Sequence, residues 1–247
     1  MATDTFLAMT AAEIEGITTI PPRIGWMACQ FSPWSQGLSN LPNRLPEGAL
    51  LILNDFSPMD GHNPSVIGAQ LRECIERFSC MGLLLDLQRP EAAETAALAE
   101  FLVEALPCPV AVSEPYARGL DCPVFLPPVA HHVSLTDHLV PWKGREIWLD
   151  LAADAEEIRL TPKGAVVEPL STGTRFEGGH WEEKLHCHYR IELFENEARF
   201  TLWRSREDLE ALLEEAKALG VTTAVGLWQE LEGVGDARIP PVEGSLF

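Results

Sequence analysis

The sequence predicts an α/β fold: a TIM-like (β/α)8 barrel, closed or incomplete, with a small β-hairpin insertion before the last helix and strand. Three observations predict it. The 247 residues match the length such a barrel needs. Apolar residues make up 46% of the chain, enough to fill a sizeable core. Short apolar runs alternate with amphipathic stretches of helical period, the order that yields parallel strands with helices packed outside them.

Strand-like runs fall at Ile24–Cys29, Leu50–Asp55, Leu83–Gln88, Val110–Ser113, Val124–Leu126, Ile147–Leu151 and Thr222–Trp228. Gly16–Ile20 is a further candidate, although Pro21-Pro22 joins it to the next run without a crossover helix, so eight strands are not plainly countable. Asn63-Pro64 opens a helix whose apolar stripe is Ile67, Leu71, Cys74, Ile75 and Phe78. A second helix begins after Pro90 and buries Leu98, Phe101 and Leu102. In the third, Ser205 and Asp208 form a capping box, Leu209, Leu212, Leu213, Ala216 and Leu219 make the stripe, and Gly220 stops it. Two hairpins interrupt the alternation: Ile158–Leu160 with Ala165–Val167 around Pro-Lys-Gly, and His188–Phe194 with Ala198–Trp203 around Glu-Asn-Glu. Residues 1–247 are therefore expected to form one barrel domain, with a β-rich insertion over 155–203.

A formal charge of −19 and a pI near 4.7 argue against nucleic acid or an anionic membrane as partner. The six cysteines show no paired short spacing of the zinc or redox type, which points to buried free thiols and a reducing compartment. The first nine residues lack a basic stretch and a long apolar run, and no segment reaches membrane-spanning length. Cytoplasm is the expected location. Oligomeric state is not specified.

One run carries the chemistry. Residues 82–90 read Gly-Leu-Leu-Leu-Asp-Leu-Gln-Arg-Pro. Strand alternation puts Leu84, Asp86 and Gln88 on one face and Leu83, Leu85 and Leu87 on the other. A carboxylate in so apolar a run is costly unless it is paired or reaches a polar cavity. The pattern resembles the catalytic strand of glycoside hydrolase family 18, the chitinases and their relatives, written Asp-x-x-Asp-x-Asp-x-Glu with an aromatic residue and Pro following. Asp86 matches the last Asp, Leu84 replaces the one before it, and Gln88 stands where the family has its proton-donating Glu. Other stretches are similar too: Arg23–Trp26 leading to Phe31–Ser35, Arg145–Leu151, and Tyr189–Trp228. The family's Met-x-Tyr-Asp signature is absent, its nearest counterpart being Val124–Pro128. Only one helix separates the Leu50 run from the motif, as if one strand-helix unit were shortened or displaced.

The resemblance implies a pocket for N-acetylated sugars, in which Asp86 orients the acetamido group and Trp228 floors the site. Family 18 hydrolysis requires an acid that ionises reversibly, and an amide at position 88 cannot supply the proton. Asp55, Glu114 and Asp150 also lie at or near strand C-terminal ends, where functional groups of parallel barrels gather. Each could equally cap a helix or pair with an arginine. Trp26 and Trp228 are candidate sugar-stacking rings, whereas Trp148 and Trp203 alternate with apolar neighbours and read as core. His186 and His188 share a strand face near His180, but two histidines fix neither geometry nor metal, so no metal or other cofactor is assigned. His131, His132 and His138 read as surface loop residues.

Three functions follow. The leading one is a degenerate family 18-like barrel that binds an oligosaccharide or related glycan without hydrolysing it. The second is an active hydrolase whose acid has relocated to Glu114 or Asp55. The third is a non-catalytic scaffold or protein-interaction barrel.

Overall fold

The computed structural model describes residues 3–17, 20–21, 23–89, 92–170, 176, 178–232 and 234. In chain order its strands and helices are β1 (Asp4–Met9), α1 (Ala11–Gly16), β2 (Ile24–Phe31), β3 (Leu38–Ser39), β4 (Leu50–Asn54), α2 (Pro64–Phe78), β5 (Gly82–Asp86), α3 (Ala93–Ala105), β6 (Val110–Ser113), β7 (Val124–Leu126), α4 (Leu135–Leu139) and β8 (Ile147–Asp150). There follow β9 (Ala155–Thr161), β10 (Gly164–Pro169), β11 (His180–Glu182), β12 (Cys187–Leu193), β13 (Ala198–Trp203), α5 (Arg206–Ala218), β14 (Thr223–Leu227) and α6 (Trp228–Leu231).

Eight strands, β1, β2, β4, β5, β6, β7, β8 and β14, pair in parallel, and β1 bonds both β14 and β2, which closes the barrel. β3 adds an antiparallel flap to β2. The strand missing from the sequence reading is β1. Gly16 ends α1 instead of starting a strand, and residues 18 and 19 of the Gly16–Ile20 candidate lie outside the described residues. With β1 in place, β5 is the fourth of eight barrel strands, and the units that lack a helix are those after β2 and after β6.

Period-2 alternation sorts the side chains into two layers. Phe6, Leu50, Ile52, Leu84, Ala111, Phe125, Trp148 and Val225 fill the interior. Trp148 occupies much of it, with its Nε1 donating to Glu146 Oε1 at 3.2 Å. Small residues make the room: a Cβ on Gly82 would stand 3.2 Å from Trp148 Cη2, and one on Gly25 would stand 2.8 Å from Ile52 Cδ1. The opposite faces, including Leu83 and Leu85, pack under the helices with Ile67, Leu71, Leu98, Leu102, Leu209 and Leu213.

Local signals set the helix ends. Asn63 caps α2 by accepting from Ser65 N at 3.0 Å, with Pro64 in the first turn. The Ser205–Asp208 capping box opens α5 as predicted. Leu219 departs from the predicted stripe: it is 44% exposed, because the chain leaves the helix there for Gly220 at φ 90°. Pro90 lies outside the described residues.

Both predicted hairpins form, and they join. The pairing of β9 with β13 makes one five-stranded antiparallel sheet in the order β10-β9-β13-β12-β11. Buried Arg204 fastens its base to the barrel: Nε donates to His186 O and Nη2 to Leu185 O, both at 3.1 Å, and Nη1 donates to Val129 O in the loop after β7. All six cysteines are free thiols. Burial pushes Cys80 up to about 12 and Cys108 and Cys187 up to about 11, so they stay protonated and unreactive. No described helix is long and apolar enough to cross a membrane.

Candidate functional site

Parallel strands deliver their C-terminal ends to one rim of the barrel. Asp86 ends β5 on the face of Leu84, above the interior layer, as the alternation predicts. Gln88 follows it onto the rim, and its Nε2 donates to Asp86 Oδ1 at 3.0 Å and to Oδ2 at 3.3 Å. Ser113, ending β6, holds this strand end in place: its Oγ donates to Leu85 O and accepts from Leu87 N, both at 2.9 Å.

These residues line a cleft of about 300 Å³. Asp86, Gln88, Glu114 and Asp150 supply its polar groups, and Phe125, Pro115, Pro127 and Pro128 its apolar walls. Four of the predicted site residues are therefore brought together. His138 backs the proline wall, its Nε2 facing Pro127 O at 3.1 Å, and burial lowers its pKa.

The carboxyls of the cleft are electrostatically crowded. Burial pushes Asp150 up to about 8, and the neighbouring charges of Asp86, Glu230 and Asp154 add to this, with a partial offset from Leu151 N–H. Asp86 is also raised by burial, opposed by the Gln88 amide and reinforced by Asp55. Glu230, which accepts from Ala153 N at 2.9 Å, is raised chiefly by burial. With its pKa pushed up to about 8, Asp150 can hold a proton to donate, while Asp86 beside the Gln88 amide presents acceptor oxygens. Such a pair suits a neutral ligand rich in hydroxyl and amide groups.

The other three predicted residues lie elsewhere. Asp55 is 4% exposed, and its two oxygens accept from Gln88 N at 3.0 Å and Arg89 N at 2.9 Å. Arg89 returns the contact, donating Nε to Asp55 O at 2.6 Å. Asp55 thus braces the backbone that carries Gln88 and does not line the cleft. Trp26 alternates away from the interior, buries its ring on the helix side and donates Nε1 to Asn40 O at 2.9 Å. It lines a separate cavity of about 450 Å³ with Thr10, Glu15, Asn43 and Arg44. Trp228 opens α6 and packs against the helix-side layer rather than under the cleft.

The histidines also differ from their sequence reading. His131 is buried, with Nε2 3.3 Å from Asp154 Oδ1 and Nδ1 3.7 Å from Glu156 Oε1. That proximity, chiefly the His131 contact, holds the Glu156 carboxyl below its ordinary range. His186 pairs with Glu215, and His188 Nδ1 donates to Asp208 Oδ2 at 2.9 Å while its ring stacks on Trp203 at 5.6 Å. Among the described residues no group of three or more His, Cys, Asp or Glu side chains is placed to hold a metal ion.

Sequence reasoning missed Ser113 and the wall of Phe125, Pro127 and Pro128. The signal was present: Ser113 ends a strand next to Glu114, and a Pro pair directly after a buried strand blocks its continuation at the rim.

No protein-family model matches the sequence, and no curated protein sequence matches it. Solved structures do match in fold. The class V chitinase from Nicotiana tobaccum superposes with a TM-score of 0.61 at 11% identity, covering 96% of this chain and 97% of that one, and a mutant of it has been solved in complex with NAG4. A glycoside hydrolase family 18 N-acetylglucosaminidase from Paenibacillus barengoltzii gives 0.58 at 12% identity, covering 91% of this chain and 94% of that one. The spore cortex-lytic enzyme SleL of Bacillus megaterium QM B1551 gives 0.56 at 9% identity, covering 96% of this chain and 74% of that one. At these identities the likeness establishes a chitinase-like barrel fold.

Proposed function

We propose that the rim cleft binds an N-acetylated oligosaccharide or a related glycan and does not hydrolyse it by a route drawing its proton from position 88. One observation carries this reading: the Gln88 carboxamide lines the cleft and donates to both oxygens of Asp86. An amide there positions a carboxylate and hydrogen-bonds a ligand oxygen, but it has no proton to give at neutral pH. Asp86 accepts from ligand N–H or O–H groups, protonated Asp150 donates to a ligand oxygen, and Glu114 extends the polar wall. Phe125 and the prolines offer an apolar surface to a sugar face. The NAG4 complex of the tobacco chitinase mutant supports the ligand class.

Calorimetric titration with chitin and peptidoglycan fragments tests it. Saturable binding that is lost in Asp86→Ala, with no release of reducing ends over days, is the expected result. Absence of heat with every N-acetylated fragment overturns it.

A second reading, an active hydrolase with a relocated acid, is favoured by the placement of Asp150 in the cleft, where burial pushes its pKa up to about 8, a range useful to a general acid. Asp55 does not fit that role, since both of its oxygens are occupied by backbone N–H groups. Turnover of an aryl glycoside that disappears in Asp150→Asn, or in Glu114→Gln, would select this reading over binding alone.

A further inference from the structure

The antiparallel sheet has one face that the described residues leave uncovered. Cross-strand pairing places Val167, Ile158, Phe200 and Ile191 side by side in one row, and Ala165, Leu160, Ala198 and Leu193 in the next row of the same face. All eight are apolar. Val167, Leu160, Ile191 and Leu193 nonetheless remain 50, 41, 46 and 78% exposed. The reverse face holds Arg159, Arg199, Glu192, Glu157 and Arg190, with Arg159 bridging to Glu168 and, at 3.5 Å, to Glu157. An antiparallel sheet with one solvated face turns the charged side to water and packs the apolar side. Here the charged side is solvated and the apolar side is exposed as well.

We infer that this face packs against the same face of a second copy of the chain, forming a two-fold dimer through the sheet. Under two-fold rotation the apolar rows of one copy meet the apolar rows of the other, as in face-to-face sheet packing. Its two rows carry no charge, and residues 157–168 and 190–199 together hold five acidic and four basic side chains. The contact thus sets little like charge face to face, although each copy carries −19 in total. A basic partner would instead be drawn to acidic surface, away from a face with nothing to pair with. The exposed patch amounts to on the order of 400 Å² per copy, as large as monomer patches that mark interaction sites. Doubled, it falls below the ~1,200 Å² of a stable interface, so the dimer is a weak one. This inference is independent of the glycan reading.

Sedimentation of the full chain from micromolar to millimolar concentration tests it. The expected result is a monomer–dimer equilibrium that tightens as salt screens the net charge, with Leu193→Asp and Ile191→Asp each weakening it by about tenfold or more. Val166→Asp, on the reverse face, should leave it unchanged. In a dilution series of the unmutated chain, methyl resonances of Val167, Ile191 and Leu193 should shift with concentration, which keeps the test valid should either variant fold poorly. A monomer at every concentration and salt overturns the inference. So does loss of the dimer in Val166→Asp alone, which would indicate edge pairing, or a dimer that appears only after residues 235–247 are removed, which would make that segment the occupant.

Discussion

Asp55 and Asp150 follow or end barrel strands on the same rim, and the two show how differently one fold treats a carboxylate. Asp55 is 4% exposed and fully engaged, each oxygen taking a backbone N–H from the segment after β5. Asp150 lies in the cleft among other acids, with burial pushing its pKa to about 8. The first is a brace whose capacity is spent inside the protein. The second keeps a proton and a hydrogen-bonding edge for something outside it. Position at a strand end therefore marks a candidate, and the number of free lone pairs or protons decides what it can do.

The sharpest test of this contrast is Asp55→Ala. It strands two backbone donors, so a loss of roughly 3 kcal/mol is expected, read as a lower urea midpoint at unchanged slope. A loss below about 1 kcal/mol would mean that Asp55 is not the brace described. Asp55→Asn keeps one acceptor and should cost about half as much.

Asp150→Asn should behave in the opposite sense, with an effect of about 1–2 kcal/mol that depends on pH. The Asp150 pKa is raised in the folded chain, from 3.8 to about 8, so the native state holds a proton that the unfolded chain releases. Its contribution to stability is therefore fully present below about pH 4 and is lost as pH rises through about 8. The Asn variant lacks this loss and should melt above the parent at pH 9, with the order vanishing or reversing at pH 4. A parallel shift at all pH values would remove the ionisation argument.

Gln88→Glu sets a second carboxylate against Asp86 at a distance where the amide now donates. A destabilisation of about 1 kcal/mol at neutral pH, relieved in acid, is expected from like-charge contact. The same variant, assayed on chitin fragments, asks whether an ionisable group at 88 is the piece that glycan cleavage lacks. The smallest effect belongs to Trp26→Phe. It removes one hydrogen bond to Asn40 O, worth about 1 kcal/mol, and should leave glycan binding untouched because Trp26 faces the other cavity. Lost binding would contradict the placement of the site.

Much of the barrel was legible because its signals are local. The seven strand runs and the caps at Asn63 and Ser205 follow from alternation, period and turn chemistry within a few residues. β1 was not legible: its pairing with β14 joins Asp4 to Thr223, a contact no window of sequence contains. At the site, alternation put Asp86 and Gln88 on the interior face, and the strand-end rule brought in Glu114 and Asp150. The sequence reading misplaced Trp26, because aromatic character says nothing about which side of a barrel strand faces the helices, and Trp228, which follows the end of β14 in α6. It failed also for His131, whose neighbours Asp154 and Glu156 belong to a segment more than twenty residues away.

The chain by itself determined the alternating strand-and-helix plan, the side of β5 on which its one acid stands, and the amide two places later. These are consequences of backbone geometry, fixed by two torsions per residue and by nearest neighbours. Tertiary structure alone decided which acids were consumed as braces and which were left crowded and protonated at the rim. Hydrogen-bond partners and local dielectric come from segments dozens of residues apart, and only closure of the barrel brings those segments together.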